Sequence, residues 1–240
     1  MAISKNKRKW LRRLFIWTPL FFCFASIAQV LVLKWLDPWA SSFMVSRQLN
    51  AYMQADWKFA VDYRWRNLDK ISMHLPLAVV AAEDQKFPEH HGFDFTSIEK
   101  AYKSNLRGKK VRGGSTISQQ LAKNLFLWSG RSYVRKVLEA WYTFWIELLW
   151  SKKRILEVYV NVVEFGDGVY GAEAASKRFF NKSAQALSKT QSAQLAAVLP
   201  NPKKYNAKSP GPYVKRRTQA IERQMRALGG SSYLEECCQP

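Results

Sequence analysis

Two neighbouring carboxylates, Glu83 and Asp84, follow an apolar stretch at residues 79–82. A carboxylate at the end of an apolar helix is partly desolvated, which raises its pKa towards that of a useful general base. The alternative is a solvated helix end whose acidic residues are surface charges, and this segment alone favours it. His90 and His91 follow without a third ligand at a recognisable spacing, so structural histidines are favoured over a metal site.

A second group of polar residues follows a glycine-rich loop, Gly113 to Thr116, that enters a helix. Backbone N–H groups at such a helix start favour an anion, although the spacing is not that of a nucleotide-binding P-loop. An ordinary capped helix is the alternative, since Thr116 and Gln119 have capping-box spacing. The helix is more polar than a core helix requires, which favours ligand contact through Gln119, Gln120, Lys123 and Asn124.

A basic stretch comes next. Arg131, Arg135 and Glu139 recur every four residues, so they lie along one face of a predicted helix, beside Lys136. A solvated, salt-bridged helix face is the default interpretation of this pattern. The sharper interpretation is a pyrophosphate site, because guanidinium groups bind phosphate oxygens with paired hydrogen bonds.

The elements that must position these residues are predicted to be helices, because apolar residues recur at helical spacing and alternating strand patterns are scarce. One apolar helix ends near Glu83, and another follows Thr116. The longest runs from Ser132 to Trp150 with an apolar stripe: Val134, Leu138, Trp141, Trp145 and Leu148. Four more are predicted at 153–162, 172–180, 190–198 and 213–228, the last closed by Gly229-Gly230.

The chain has 240 residues, of which 48% are hydrophobic, and a net charge of +20. This length and apolar fraction are typical of a folded domain and argue against a disordered chain. So basic a surface favours polyanions, which include nucleic acid, anionic lipid head groups and phosphate-bearing substrates. Charge alone does not choose among them. Cys23, Cys237 and Cys238 form neither a disulfide framework nor a zinc pattern.

The N-terminus predicts a membrane anchor. Six basic residues between 5 and 13 precede an uncharged run from Leu14 to Leu33. As a helix, about 20 residues span roughly the 30 Å of a bilayer core. The basic cluster predicts a cytoplasmic N-terminus and an outer location for everything after Lys34. A signal peptide cleaved near Ser26–Ala28 is the alternative, but the apolar run exceeds a usual signal core.

These features divide the chain into five segments. They are a cytoplasmic basic segment at 1–13, a transmembrane helix at 14–34, a linker or neck at 35–69, one compact domain at 70–230 and a tail at 231–240. The neck is assigned because its polar and aromatic residues show little clear periodicity.

Together the motifs resemble those of the monofunctional biosynthetic peptidoglycan transglycosylases, whose domain is shared with bifunctional penicillin-binding proteins. Five segments occur in the family's order between about Leu75 and Asn206. They are Glu83-Asp84 with Phe87, His90 and Gly92; Gly114-Ser115-Thr116-Ile117 with Gln119-Gln120-Leu121 and Lys123-Asn124; Arg135-Lys136 with Glu139; Lys153 with Ile155-Leu156-Glu157, Tyr159 and Asn161; and Pro200-Asn201-Pro202 with Tyr205-Asn206. The joint match is highly specific. Ala207 stands where the family usually has proline, which affects only a loop ending.

The resemblance implies a lysozyme-like, mainly α domain with a small membrane-proximal hydrophobic subdomain. It also implies a glycosyltransferase that polymerises lipid II into β-1,4-linked glycan and releases undecaprenyl pyrophosphate with inversion. Glu83 matches the family's catalytic glutamate, the general base for the acceptor 4-hydroxyl. Glu139 matches its second carboxylate, which positions substrate or its basic neighbours.

Further roles follow from the same resemblance. The side chains expected to neutralise the pyrophosphate are Lys123, Arg131, Arg135 and Lys136. Those expected to line the cleft are Ser115, Gln119, Gln120, Asn124, Asn161 and Glu164. No cofactor is expected with certainty: a divalent cation, Mg²⁺ or Mn²⁺, assists some members of the family, but this sequence contains no recognisable metal site.

The expected partners are lipid II, lipid-linked nascent glycan, membrane lipids and cell-division or elongation proteins, but not nucleic acid. The expected location is the inner (cytoplasmic) membrane, with a periplasmic catalytic domain. A glycan hydrolase of lysozyme type is one alternative, but it would not need the basic helix for phosphate. A non-enzymatic scaffold explains the charge but not five ordered motifs. No room is expected for a transpeptidase domain, so β-lactam binding is not expected.

Overall fold

The structure, a computed structural model, describes residues 5–96, 99, 114–230 and 232–234. Gly113, the C-terminal cysteines and most of the predicted tail lie outside the described residues. The α-helices are α1 (Lys5–Val32), α2 (Ser42–Met53), α3 (His74–Glu83), α4 (Ile117–Phe126), α5 (Tyr133–Leu149), α6 (Lys152–Val162), α7 (Ala172–Phe180), α8 (Lys189–Val198) and α9 (Pro212–Ala227). The strands are β1 (Asp62–Tyr63), β2 (Glu164–Gly166) and β3 (Val169–Tyr170). The predicted mainly α fold is confirmed.

Helix α1 has the length and composition of a membrane-spanning helix over Phe15–Val32, within the predicted segment 14–34. Between Phe15 and Phe24 it projects large apolar side chains, including these two, into the surroundings. A soluble protein would bury such side chains, because exposed apolar surface of this extent is unfavourable in water. The helix therefore fits a membrane anchor.

The second half of α1 docks on the rest of the protein. The indole Nε1 of Trp141 donates to Ser26 Oγ at 3.0 Å, and that of Trp150 donates to the Val30 carbonyl at 2.9 Å. The Arg154 guanidinium then donates to the Leu33 and Leu36 carbonyls just beyond the helix end. The bond from Trp150 satisfies the Val30 carbonyl, one of those that the helix terminus leaves open. The anchor is thus attached to α5 and α6 by directional contacts.

The segment 35–69, predicted to be a linker, is folded against the domain. It carries α2, which is capped by Ser41, and strand β1, which pairs in parallel with β3. The Tyr63 hydroxyl also donates to the Pro38 carbonyl at 2.6 Å. Only Met44 and Ala51 of α2 are buried, and β1 has two residues, so neither element leaves a recognisable hydrophobic period.

The core forms around α3, whose residues 75–81 are all buried. An all-round apolar helix belongs in the interior of a protein, and α3 packs against α6, α8 and α9 there. Thr116 caps α4 in a capping box with Gln119, as predicted, and Ser132 caps α5. Helix α3 therefore places Glu83 next to the start of α4.

Helix α5 buries a different face from the one predicted. The predicted stripe is partly open, with Val134 66% and Leu148 61% exposed. The buried positions are instead Glu139, Tyr142, Thr143 and Ile146. The reason is that α5 packs on α4 with one face and meets α1 with another, so its apolar residues are divided between two environments.

The three strands form a small sheet in the order β1–β3–β2, and Gly171 joins β3 to α7. Its φ is +82°, and a Cβ added there would lie 2.4 Å from the Asn161 carbonyl oxygen. An L-residue at this position would therefore be strained and would also collide with the backbone of α6.

Replacing Gly171 by Ala is expected to lower the free energy of unfolding by about 3 kcal/mol, because the positive φ and the clash combine. Thermal unfolding of the detergent-solubilised protein should show a midpoint lower by roughly 6–12 °C. Gly211→Ala is the matched control, since a Cβ there meets nothing within 4 Å. Equal midpoints for the two variants would show that the Gly171 backbone is not constrained as described.

Candidate active site

Glu83 is the last residue of α3, and its carboxylate is held by a chain of hydrogen bonds. Gln120 Nε2 donates to Glu83 Oε2 at 2.9 Å, and the Tyr159 hydroxyl donates to Gln120 Oε1 at 2.8 Å. Burial raises the pKa of Tyr159 well above its ordinary range, so the phenol remains a donor. Because Tyr159 fixes the orientation of the Gln120 amide, the amide presents its N–H to Glu83.

Glu83 borders an open cavity of about 310 Å³. Asp84, Lys86 and Ser115 lie around the same cavity, which is thus bounded by the end of α3 and the loop before α4. Ser115 is therefore close to Glu83, as expected from the sequence. A cavity of this size beside a carboxylate accommodates part of a substrate, such as one ring of a larger molecule.

The pKa of Glu83 is raised, mainly by burial. The hydrogen bond from Gln120 and the charges of Arg217 and Lys123 oppose the rise but do not cancel it. This direction agrees with the expectation from the apolar stretch before Glu83. A carboxylate with a raised pKa is a stronger base than an exposed one, which suits it to accept a proton.

Arg217 of α9 is a neighbour of Glu83 that the sequence did not identify. Its Nη2 donates to the carbonyl of Ala82 at 2.8 Å, directly before the carboxylate. The guanidinium thereby fixes the C-terminal end of α3 and supplies positive charge near Glu83. No motif marks Arg217, because its position follows only from the packing of α9 on α3.

Asp84 and His90 tie the end of α3 to the start of α4. Asp84 is buried, and its Oδ2 accepts a hydrogen bond from the Ile117 N–H at 3.0 Å. His90 Nε2 lies 2.9 Å from Asp84 Oδ1, while the Gly92 N–H donates to His90 Nδ1. His90 therefore has the structural role that its sequence context favoured. Asp84 positions the α4 start beside Glu83.

The polar residues of α4 divide between structure and site. Gln119 is buried, and its Oε1 accepts the Thr116 N–H at 3.1 Å, so this side chain belongs to the helix cap. Gln120 contacts Glu83, as described above. Asn124 is buried at 8% exposure, deeper than a cleft-lining position requires. The Lys123 ammonium lies 5.7 Å from the centre of the Phe43 ring.

A cluster of charges occupies the first turns of α5. Glu139 is 3% exposed, and its two oxygens accept from Arg135 Nη1 at 2.7 Å and from Lys136 Nζ. Arg135 Nε is buried, and it has no hydrogen-bond partner among the residues that the structure describes. Arg131 is exposed at the edge of a cavity of about 430 Å³ that Arg135 and Lys136 also line. The cluster thus offers unpaired donors to an anion.

The charges of both Glu83 and this cluster affect the pKa of Lys123. Burial lowers the pKa of Lys123, and the charges of Arg135 and Lys136 lower it further. The carboxylates of Glu139 and Glu83 act in the opposite direction. Because α4 carries both Lys123 and Gln120, which binds Glu83, and packs on α5, the candidate base and the basic cluster lie on adjacent helices.

Two predicted cleft residues lie elsewhere. Asn161 is fully buried. Its Oδ1 accepts the Arg66 N–H at 2.9 Å, and its Nδ2 donates to the Arg66 carbonyl at 2.8 Å, so the side chain has a structural role. Glu164 lines a separate pocket of about 210 Å³ with Arg47 and Lys203, and accepts the Gly168 N–H at 3.0 Å. Burial raises the pKa of Glu164.

Comparison with known proteins assigns this arrangement to a family. The family model described as Transglycosylase matches residues 51–226, which include helices α3 to α8 and the site residues from Glu83 to Arg217. The chain is 58% identical over 234 residues to the biosynthetic peptidoglycan transglycosylase of Xanthomonas euvesicatoria pv. vesicatoria (strain 85-10), covering 98% of this chain and 94% of that protein. It is 54% identical over 226 residues to the protein of the same name from Xylella fastidiosa (strain M23), covering 94% and 93%. The chain belongs to the transglycosylase family and is a glycosyltransferase with the mainly α, lysozyme-like domain of that family.

Proposed function

We propose that this enzyme polymerises lipid II into β-1,4-linked glycan strands during peptidoglycan synthesis. The relatives are named for a biosynthetic reaction on peptidoglycan, which supports a cell-wall role. In the proposed reaction, Glu83 accepts the proton of the 4-hydroxyl of the acceptor sugar. That oxygen forms a bond to C1 of the lipid-linked donor, and the bond from C1 to the pyrophosphate breaks. The leaving group is undecaprenyl pyrophosphate, and the α configuration becomes β.

The observation that carries this proposal is that α4, whose Gln120 binds Glu83, packs directly on α5, which carries the basic cluster around Glu139. A hydrolase acting on neutral glycan needs a carboxylic acid to protonate its leaving group. A pyrophosphate is already a good leaving group and requires neutralisation of its charge. A base and a basic cluster in one site suit transfer from a pyrophosphate better than hydrolysis.

Lys123, Arg131, Arg135 and Lys136 are proposed to bind the pyrophosphate. The exposed guanidinium of Arg131 is a donor suited to phosphate oxygens, and the buried Arg135 Nε has no hydrogen-bond partner within the described part of the chain. Glu139 is proposed to position Arg135 and Lys136, since it contacts both and is too buried to meet an acceptor sugar. Gln120 is proposed to orient Glu83.

Helix α1 is proposed to hold the domain at the outer surface of the cytoplasmic membrane, with the basic residues 5–13 on the cytoplasmic side. Its contacts with α5 support this, because they place the cluster-bearing helix next to the membrane segment. Confinement to the membrane raises the effective concentration of a substrate that stays in the lipid. Cell-division or elongation proteins are proposed partners.

The test is polymerisation of labelled lipid II by the purified full-length protein in liposomes, with and without Mg²⁺ or Mn²⁺, with products resolved on a gel. Long strands that lysozyme digests, and an equivalent release of undecaprenyl pyrophosphate, are the expected result. Shortening of added glycan without polymer would favour a hydrolase. No reaction on either substrate would favour a non-enzymatic scaffold.

A further inference from the structure

A buried ion pair lies between α5 and α6. Glu147, near the end of α5, and Lys152, the first residue of α6, have side chains that are 5% and 15% exposed. The Lys152 ammonium donates to Glu147 Oε1 at 3.0 Å and to Oε2 at 2.9 Å. A buried pair of this kind is weak evidence for stability, because the cost of desolvation can equal the attraction. Other residues line the cavity at Glu83, so the pair can position Glu83 only through its neighbours.

The Glu147 carboxylate also holds the first turn of α4. Ser118 is fully buried there, and its hydroxyl donates to Glu147 Oε1. Two residues further along the helix, Gln120 donates to the Glu83 carboxylate. Because one turn of an α-helix holds both residues, the carboxylate that fixes Ser118 also fixes the backbone of Gln120.

The Lys152 ammonium holds the segment that follows Glu83. It donates to the His90 carbonyl at 2.5 Å and lies 4.5 Å from the centre of the buried Phe87 ring, whose face attracts a cation. The His90 imidazole in turn binds the carboxylate of Asp84, the residue directly after Glu83. Lys152 is therefore connected to the end of α3 through two contacts with one short segment.

Close packing at Gly92 joins these parts. A Cβ added to Gly92 would lie 2.8 Å from Thr143 Cγ2 and 2.9 Å from Glu147 Cγ. The hydroxyl of Thr116, the residue that caps α4, donates to the Gly92 carbonyl at 2.7 Å. The segment after Glu83, the start of α4 and the Glu147 side chain are thus packed directly on one another.

We propose that Glu147 and Lys152 are positioning residues, which hold the Glu83 carboxylate against the Gln120 amide by fixing the two segments that carry them. The inference rests on the proposed function, because it takes Glu83 as the base. Neither member of the pair touches substrate in this arrangement. Loss of the pair should therefore lower kcat and leave the KM for lipid II unchanged.

The first variant is Glu147→Gln, assayed as the full-length protein in liposomes at a temperature at which circular dichroism shows it to be folded. Glutamine keeps the size of the side chain, but its NH₂ group replaces one of the two oxygens that accept from Lys152 and Ser118. The kcat for lipid II polymerisation should fall roughly 10- to 100-fold, as misplaced groups in an active site do.

The pH dependence of kcat/KM separates positioning from stability. The hydrogen bond from Gln120 lowers the pKa of Glu83, so a weaker contact should move the acidic limb to higher pH. Loss of the Glu147 charge would by itself act in the opposite direction, because a nearby negative charge raises the pKa of a carboxylate. A limb at higher pH in Glu147→Gln therefore reports the contact between Gln120 and Glu83.

Glu173→Gln is the matched control, because it neutralises another buried carboxylate. Glu173 of α7 is 2% exposed, pairs with Arg66 at 3.4 Å and lies on a helix that packs on the small sheet. This variant should melt at a lower temperature but keep the kcat and the acidic limb of wild type. Equal losses of kcat in both variants, or a wild-type kcat and limb in Glu147→Gln, would overturn the proposal.

If Glu147→Gln does not fold, Ser118→Ala gives the decision. It removes only the hydroxyl between Glu147 and α4 and leaves the ion pair intact. A lower kcat with the acidic limb at higher pH is expected, and wild-type values of both would overturn the proposal. Failure of the proposed function is a separate result, because wild type would then form no polymer from lipid II.

Discussion

Glu83→Gln is expected to lower the rate of lipid II polymerisation by roughly 10²- to 10⁴-fold, the contribution typical of a general base. Glutamine keeps the size of the side chain and a carbonyl oxygen for the Gln120 N–H, so the local packing is preserved. What it removes is the ability to accept a proton from the acceptor hydroxyl. The initial rate of glycan formation in liposomes measures the effect.

The same substitution is expected to maintain or raise thermal stability. Because burial raises the pKa of Glu83, the folded protein binds its proton more tightly than the unfolded chain does. The stability from this group is present at low pH and is lost as the pH rises through the raised pKa. At neutral pH the ionised carboxylate is thus destabilising, and glutamine relieves that cost.

Glu89→Gln is the matched control for Glu83, because Glu89 is an exposed glutamate on the adjoining segment. It should leave both the rate and the melting temperature unchanged. A Glu83→Gln enzyme with the wild-type rate would remove Glu83 from its proposed role. Loss of activity together with unfolding would contradict the stability expected for this variant.

Glu139→Gln is expected to damage both stability and activity. Its carboxylate is 3% exposed and pairs with Arg135 and Lys136, so its neutralisation leaves a mostly buried guanidinium without an anionic partner. Removing one partner of a buried pair destabilises a protein by about 3 kcal/mol or more, and Lys136, which is half exposed, limits the loss here. The rate should fall by roughly 10²-fold, as misplaced groups in an active site do.

Urea unfolding and initial rates measure these two effects. Asp62→Asn is the control, since Asp62 pairs with Arg64 at 3.7 Å on the surface and should change stability by less than about 1 kcal/mol. Addition of undecaprenyl pyrophosphate separates the two roles of Glu139. If Glu139 only stabilises the fold, the variant at low temperature will bind this product as wild type does. If it positions Arg135 and Lys136, binding will be weakened.

The helices were the most predictable part of the fold. The predicted helix 172–180 coincides with α7, and 153–162 differs from α6 by one residue. A local signal explains the start of α6, because Ser151 caps it by accepting the Arg154 N–H. The segment around Glu83 alone favoured a solvated helix end, whereas the structure buries the carboxylate, which is the other interpretation of the apolar stretch before it.

Features set by tertiary packing were not predictable. Arg217 lies 135 positions from Ala82, whose carbonyl it binds, and nothing near it in sequence indicates that contact. Asn161 is polar and lies in a motif, which suggested the cleft, but the Arg66 backbone takes up its amide. The buried face of α5 depended on where α1 docks. Periodicity shows that a helix has an apolar face but not which neighbour covers it.

The most direct test of the central claim is the pH dependence of kcat/KM for lipid II in wild type, Arg217→Met and Arg217→Lys. The rate should fall as the pH decreases through the pKa of Glu83, which lies above the range of an exposed glutamate. Arg217→Met removes a charge that lowers this pKa, so the acidic limb should move to higher pH, while Arg217→Lys should move it little. A limb that stays in place in Arg217→Met, or a rate that is constant down to the ordinary glutamate range, would contradict Glu83 as the base.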